Sequence, residues 1–355
     1  MFFLRLLIDF LIIKHSTDLI QIKFESFINE FRKPYLNDPI EYLRRIRNFE
    51  KSLMRIQYLN SFRLHNESAY FGLTKYSDLS PEEFRQLSNL NFLLIIKIFM
   101  ANLVLKNNRK SSTNKRFKKR RHIISGTELE NANIPPKFDW RDKNKVNPVR
   151  NQGKCGACWA FSIAATVESM VAIKTEKLYS FSAQQLIDCV DQNRGCQGGD
   201  TCSTLEWITK NNITIETSDD YPERDYADEC HSNAKKPGIG VRSDLICEDF
   251  IENESKMIEL IYNHGPLIAA VDASTWQNYL GGIVQYHCFS DRNHAVQITG
   301  YDLTGPIPFY KVRNTWDINF GIDGYIHIAI GNNLCGIAEE VSALNTQDIP
   351  SSFYN

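Results

Sequence analysis

Apolar residues in the first part of the chain come three and four apart. Ile20, Phe24, Phe27, Ile28 and Phe31 mark one face of a helix, with Ser16, Thr17 and Asp18 available as N-caps and Pro34 as the stop. Asp38-Pro39 opens a second, longer helix whose apolar face reads Leu43, Ile46, Phe49, Leu53 and Ile56. The same periodicity returns behind Cys158, where Phe161, Ala164, Ala165, Glu168, Val171 and Ala172 predict a largely buried helix with Cys158 in its first turn. Two apolar runs break the pattern. Residues 1–13 are apolar enough for a secretory signal, but Arg5 and Asp9 interrupt them and no small-residue cleavage site follows. Residues 92–105 form an apolar run broken by Lys97, Ala101 and Asn102; it is shorter than the ~20 residues of a membrane span. Eight Lys or Arg and no acid follow between Arg109 and Arg121. That tract reads as an exposed linker with processing sites or as misassigned coding sequence, ahead of a nuclear or polyanion-binding patch.

Composition changes the picture in two ways. A net charge of −1 excludes a chain built as a whole to bind nucleic acid, and 355 residues with 43% hydrophobic content allow more than one folding unit. All nine cysteines lie at or beyond Cys155, so a cysteine-free front precedes a part equipped for disulfides in an oxidising compartment. The sequons Asn66-Glu67-Ser68, Asn212-Ile213-Thr214 and Asn253-Glu254-Ser255 add weak support for a secretory route.

The chemistry concentrates in Gln152-Gly153-Lys154-Cys155-Gly156-Ala157-Cys158-Trp159. Unpaired backbone N–H groups and the macrodipole at a helix start favour a thiolate, the nucleophilic form of cysteine. Cys155-x-x-Cys158 also has the spacing of a thiol–disulfide oxidoreductase, although no strand–helix–strand pattern surrounds it. No four-ligand spacing for zinc is present, so no metal or cofactor is expected.

Further residues point one way. Glu41, Arg45, Phe49, Ser52, Ile56 and Asn60 resemble the inhibitory pro-segment signature of papain-like cysteine peptidases, with Ser52 in place of an Asn. Gly72, Thr74, Tyr76 and Asp78 resemble its Gly-x-Asn-x-Phe-x-Asp motif. Cys155-Gly156-Ala157-Cys158-Trp159 is similar to the cysteine signature of that family, whose His and Asn follow roughly 130 to 150 residues downstream. His294 lies 136 residues on, in Asn293-His294-Ala295-Val296, and Asn314 lies 156 on, in Arg313-Asn314-Thr315-Trp316. The resemblance runs through residues 134–347.

It implies an α+β precursor: a possible signal segment at 1–15, a helical inhibitor pro-domain at 16–88, a linker at 89–133, a two-lobe peptidase at 134–347 and a tail at 348–355. The left lobe would be helical and carry Cys158; the right would be a β-barrel carrying His294 and Asn314. By the same resemblance Cys158 is the nucleophile, His294 the base, Asn314 its orienting partner and Gln152 an oxyanion donor, with Trp316 shielding the Asn–His bond. Gly198 and Gly199 would pair with an extended substrate, Ala270 and Ala295 would wall the pocket two residues before the cleaved bond, and Glu340 would sit at its base. That carboxylate either admits Arg or Lys or swings to solvent. The disulfides implied are Cys155–Cys196, Cys189–Cys230 and Cys288–Cys335, leaving Cys202 and Cys247 as buried thiols.

The implied partners are polypeptide substrates, the chain's own pro-domain and cystatin-type inhibitors, for a lysosomal or secreted monomer without a membrane span. Acid would release the pro-domain as Glu41 and Asp78, held ionised in the precursor, lose their charge. Asp317 and Phe320 depart from the family's Gly and Trp and bring efficiency into question. They leave open a weakly active or non-catalytic homologue that acts as a binding protein.

Overall fold

The computed structural model describes residues 18–88, 134–233, 236–288 and 291–353. The expected signal segment, the apolar run and the basic tract lie outside the described residues. In the front part, α1 (described over 18–30), α2 (Pro39–Asn60), the two-residue strand β1 (Tyr70–Phe71) and α3 (Pro81–Ser88) follow in order. Asp38 caps α2 by accepting from the N–H groups of Ile40 and Glu41, each at 3.1 Å. Phe24, Phe27 and Ile28 of α1 pack with Tyr35 and Phe49 into a small core.

The buried face of α2 keeps Phe49 of the apolar stripe, with Ile46 and Leu53 packed against the same core, and extends beyond it. Leu43 is exposed, whereas Asn48, Phe49, Ser52 and Leu59 are buried. Hydrogen bonding turns the helix. Asn48 donates to the Asp78 carbonyl at 3.2 Å, and Ser52 accepts from Arg55 at 2.7 Å. Satisfied polar groups can face inward at little cost, so the buried face extends beyond the apolar stripe.

The cysteine-bearing part divides into two lobes. β2 (Lys137–Asp139) leads into α4 (Cys158–Thr175), α5 (Ala183–Cys189), α6 (Thr201–Lys210) and the hairpin of β3 (Thr214–Glu216) and β4 (Gly238–Gly240). Next come β5 (Ile246–Glu248), α7 (Glu254–Asn263), β6 (Leu267–Val271), β7 (Tyr279–Gly281) and β8 (Ile283–Val284). The chain ends with β9 (His294–Asp302), β10 (Phe309–Arg313), β11 (Tyr325–Ala329) and β12 (Val341–Ala343). The right-lobe sheet has the order β5-β12-β6-β9-β10-β11-β8, with β2 added to β9.

The expected barrel is an open ladder: among the described strands nothing joins β5 to β8. These end strands are short, and the outer edge of β8 is already taken. Ala69 donates to the Ile283 carbonyl at 2.8 Å, and Ile283 donates to that of Glu67 at 2.7 Å.

Helix α4 is buried along residues 158–172, as a helix apolar on all sides should be. Its one acid, Glu168, is fully buried, and its Oε1 faces Arg150 at 3.0 Å and accepts from the Phe181 N–H at 3.0 Å, while Oε2 has no hydrogen-bond partner. A polar seam joins the lobes: Gln297 of β9 donates to the Ala165 carbonyl at 3.0 Å and to the Ser169 hydroxyl at 3.1 Å.

Four disulfides are formed. Cys155–Cys196 and Cys189–Cys230 staple the left lobe, and Cys288–Cys335 closes a loop of the right. The fourth, Cys202–Cys247, corrects the expectation of two lone thiols. The fold brings the start of α6 against β5, with the two Cα atoms 5.9 Å apart, inside the range a disulfide spans.

Candidate active site

Cys158 is the first residue of α4, and Cys155, bonded to Cys196, anchors the loop before it. That bond removes the partner a Cys155/Cys158 redox pair would need. Cys158 alone among the nine cysteines is in no disulfide. Its sulfur is fully buried, which pushes the thiol up to about 11 against the pull of the backbone N–H groups of Ala295, Trp159 and Cys158 itself. The Ala295 amide belongs to the residue after His294, so the start of β9 lies against the start of α4.

The His294 ring is fixed from its far side. Nε2 lies 2.7 Å from Asn314 Oδ1, and the Thr315 N–H donates to the same oxygen at 2.8 Å. Two contacts from N–H groups identify that atom as oxygen, so Nε2 carries the hydrogen and Nδ1 keeps its lone pair. Nδ1 is buried and makes no hydrogen bond. Burial pulls the imidazole down to about 4, against the opposing effect of Asn314. The Trp316 ring lies 4.7 Å from the His294 ring, and both are buried with Asn314. Burial thus favours the neutral form of both the thiol and the imidazole.

Gln152 follows Asn151, whose isolated bridge to Trp316 brings this loop against the Asn314 loop. Its N–H donates to the Thr315 carbonyl at 2.9 Å, its Nε2 donates to the Cys155 carbonyl at 2.9 Å, and the Thr315 hydroxyl donates to its Oε1. Thr315 is thus a clamp on Gln152 that sequence reasoning missed, although it sits inside the quoted Asn314 motif.

The two departures from the family pattern fit their places. Asp317 adopts φ +78°, the left-handed region that favours glycine, and its carboxylate accepts from the Ile318 N–H at 2.7 Å. Phe320 is buried, edge-on to Trp316 at 5.1 Å and against Trp276 at 6.4 Å, so it fills the wall.

Gly198 has φ +106°, and a side chain on Gly199 would strike Trp159 at 2.7 Å, which explains the two glycines. Ala270 and Ala295 are register partners on β6 and β9. Glu340 does not swing to solvent. Its carboxylate accepts from Arg292 at 2.6 Å and is pushed up to about 7, chiefly by burial and then by Asp200. Arg292, two residues before His294, was not anticipated as its partner.

The pro-domain crosses this site. Gly72 N–H donates to the Asn278 carbonyl at 2.9 Å, Thr74 Oγ1 donates to that of Gln277 at 2.6 Å, and Gln277 Nε2 donates to the Tyr76 carbonyl at 2.6 Å. Tyr76 and Phe84 pack edge-on to Trp316 at 6.1 and 5.2 Å. Asn60 pins β1 through both polar atoms of Phe71, at 2.8 and 2.9 Å.

A helical segment laid over a two-lobe cleft that holds a thiol and an Asn-bound imidazole defines a peptidase precursor, and the comparisons agree. The profile of the papain family cysteine proteases matches residues 134–345, and that of the cathepsin propeptide inhibitor domain (I29) matches residues 24–84. The chain belongs to the papain family of cysteine proteases and is a cysteine-type peptidase zymogen. It is 40% identical over 299 residues to human (Homo sapiens) cathepsin O, which covers 83% of this chain and 86% of that protein. It is 39% identical to the mouse (Mus musculus) cathepsin O, over 83% of this chain and 88% of that one. Among solved structures, digestive procathepsin L2 proteinase from Tenebrio molitor larval midgut superposes with a TM-score of 0.73 at 28% identity. That match covers 92% of this chain and 99% of the other. No helix of the described residues is long and apolar enough to cross a membrane.

Proposed function

We propose that Cys158, His294, Asn314 and Gln152 carry out peptide-bond hydrolysis through an acyl-enzyme. The Cys158 thiol proton passes to His294 Nδ1, and the sulfur attacks the peptide carbonyl carbon. The resulting oxyanion accepts hydrogen bonds from the Cys158 N–H and from the second hydrogen of Gln152 Nε2. The C–N bond breaks as Nδ1–H protonates the leaving amine. Water, losing a proton to Nδ1, then attacks the thioester, and the acid product leaves as the thiol re-forms. The observation that carries this reading is the His294–Asn314 bond, which fixes the tautomer whose bare Nδ1 can accept the proton.

The domain bounds 16–88 and 134–347 follow as proposals, with maturation by cleavage between them. A monomeric enzyme of the secretory route, lysosomal or secreted, open to cystatin-type inhibitors and serving cathepsin O-like protein breakdown, fits the oxidised cysteines and the named relatives. The test is to process the full chain at acid pH and offer it a peptide substrate and an epoxide inhibitor. Hydrolysis with inhibitor bound at Cys158, both lost in Cys158→Ala, is expected; a processed wild-type chain that neither hydrolyses nor is labelled would refute the reading.

A further inference from the structure

Asp317 stands where relatives have a glycine, on the Trp316 side of Cys158, away from Gly198 and Gly199. Its N–H donates to the Arg150 carbonyl at 3.3 Å, two residues before Gln152. The carboxylate is partly exposed, and one cation already faces it. Lys75 Nζ of the pro-segment lies 3.7 Å from Asp317 Oδ2 and donates to the Trp316 carbonyl at 3.4 Å, with the ammonium 5.2 Å from the Tyr76 ring. The neighbouring Arg150 is engaged by Glu168 and Glu223, and the cation that faces Asp317 is Lys75. Glycine would have satisfied the φ of +78° without strain, so the carboxylate brings a charge the backbone does not require.

We propose that the Trp316 carbonyl and the Asp317 carboxylate form a cation subsite on the leaving-group side of the cleft. In the precursor Lys75 occupies it. After maturation it takes a Lys or Arg side chain from one of the two substrate residues that follow the cleaved bond, and it repels Glu or Asp there. The inference rests on the peptidase reading, because a peptide crossing Cys158 from Gly199 must leave past Trp316. A half-exposed pair of this kind gives a preference of roughly fivefold rather than an absolute requirement, and salt should weaken it.

The test uses the processed enzyme and matched quenched peptides that differ only at those two positions, carrying Lys, Ala or Glu. Cleavage of the Ala peptide, lost in Cys158→Ala, checks the peptidase reading first. The expected order of kcat/KM is Lys over Ala over Glu, with a Lys-to-Glu ratio of about ten in low salt. That ratio should collapse toward one in Asp317→Asn and in Asp317→Gly, the latter chosen because glycine suits the backbone. If the Ala peptide is cleaved but the parent shows no Lys-to-Glu preference at either position, or both variants keep it, the subsite is overturned while the peptidase reading stands. An uncleaved Ala peptide would overturn both.

Discussion

The two lobes hold their halves of the site by different means. On the left, Cys158 starts a helix buried on all sides, and a disulfide three residues earlier ties its loop to Cys196. On the right, His294 opens a strand of an open sheet, and its ring is held by one hydrogen bond donated to Asn314 and by the aromatic ring set of Trp316, Trp276 and Phe320. The nucleophile is placed covalently, whereas the base is placed by packing. The hydrogen bonds that seat residues 55–79 end on Gln277, Asn278, Ile283, Gln285 and Trp316, all of the right lobe. The inhibitor therefore grips the lobe that carries His294.

The comparison can be broken at several points. Cys158→Ala should remove peptidase activity altogether, a loss on the order of 10⁴-fold or more in kcat/KM in a peptide assay, while the fold persists. Replacing Cys155 and Cys196 together by Ser should cost about 4 kcal/mol, as expected for opening a disulfide with 41 residues between its ends; denaturant unfolding measures it. Phe320→Ala should cost about 3 kcal/mol and lower kcat more than it raises KM, because the wall behind Trp316 loosens. An unchanged kcat would show that packing does not place the base.

The smallest effect concerns pH. Glu41 is held down to about 2, first by its Arg44 bond, so its contribution is present above about 4.5 and lost only as pH falls toward 2. Glu41 is therefore not the trigger near pH 4.5 that the pro-domain signature suggested. His294 is the better source. Its value is pulled to about 4 by burial, so the precursor loses stability as pH falls from 6.5 through 4. Release of the pro-domain in a Cys158→Ala precursor, followed by tryptophan fluorescence, should track that window, and His294→Gln should flatten it. Glu340 has the opposite sign: raised to about 7, it stabilises the mature lobes below 4.5 and loses that contribution as pH rises through 7.

The positions proposed as catalytic stood out in the sequence because the chemistry demands particular residue types at long, recognisable spacings: Cys158 before a buried helix, His294 and Asn314 far downstream. The polar part of the inward face of α2 did not, since Asn48 and Ser52 are turned inward by bonds to distant Asp78 and nearby Arg55. Neither did Cys202–Cys247, because only the folded meeting of α6 and β5 makes those two thiols neighbours. The Glu340–Arg292 pair was missed for the same reason: the partners are 48 residues apart in the chain.

The most direct test of two lobes jointly activating one sulfur is the rate of Cys158 alkylation against pH. In the processed enzyme the reaction should run well below the ordinary thiol range near 8.5, and His294→Ala should move it up, while the precursor, with its thiol at about 11, stays unreactive. A processed enzyme whose alkylation profile matches that of an ordinary thiol, and does not change on His294→Ala, would contradict the account.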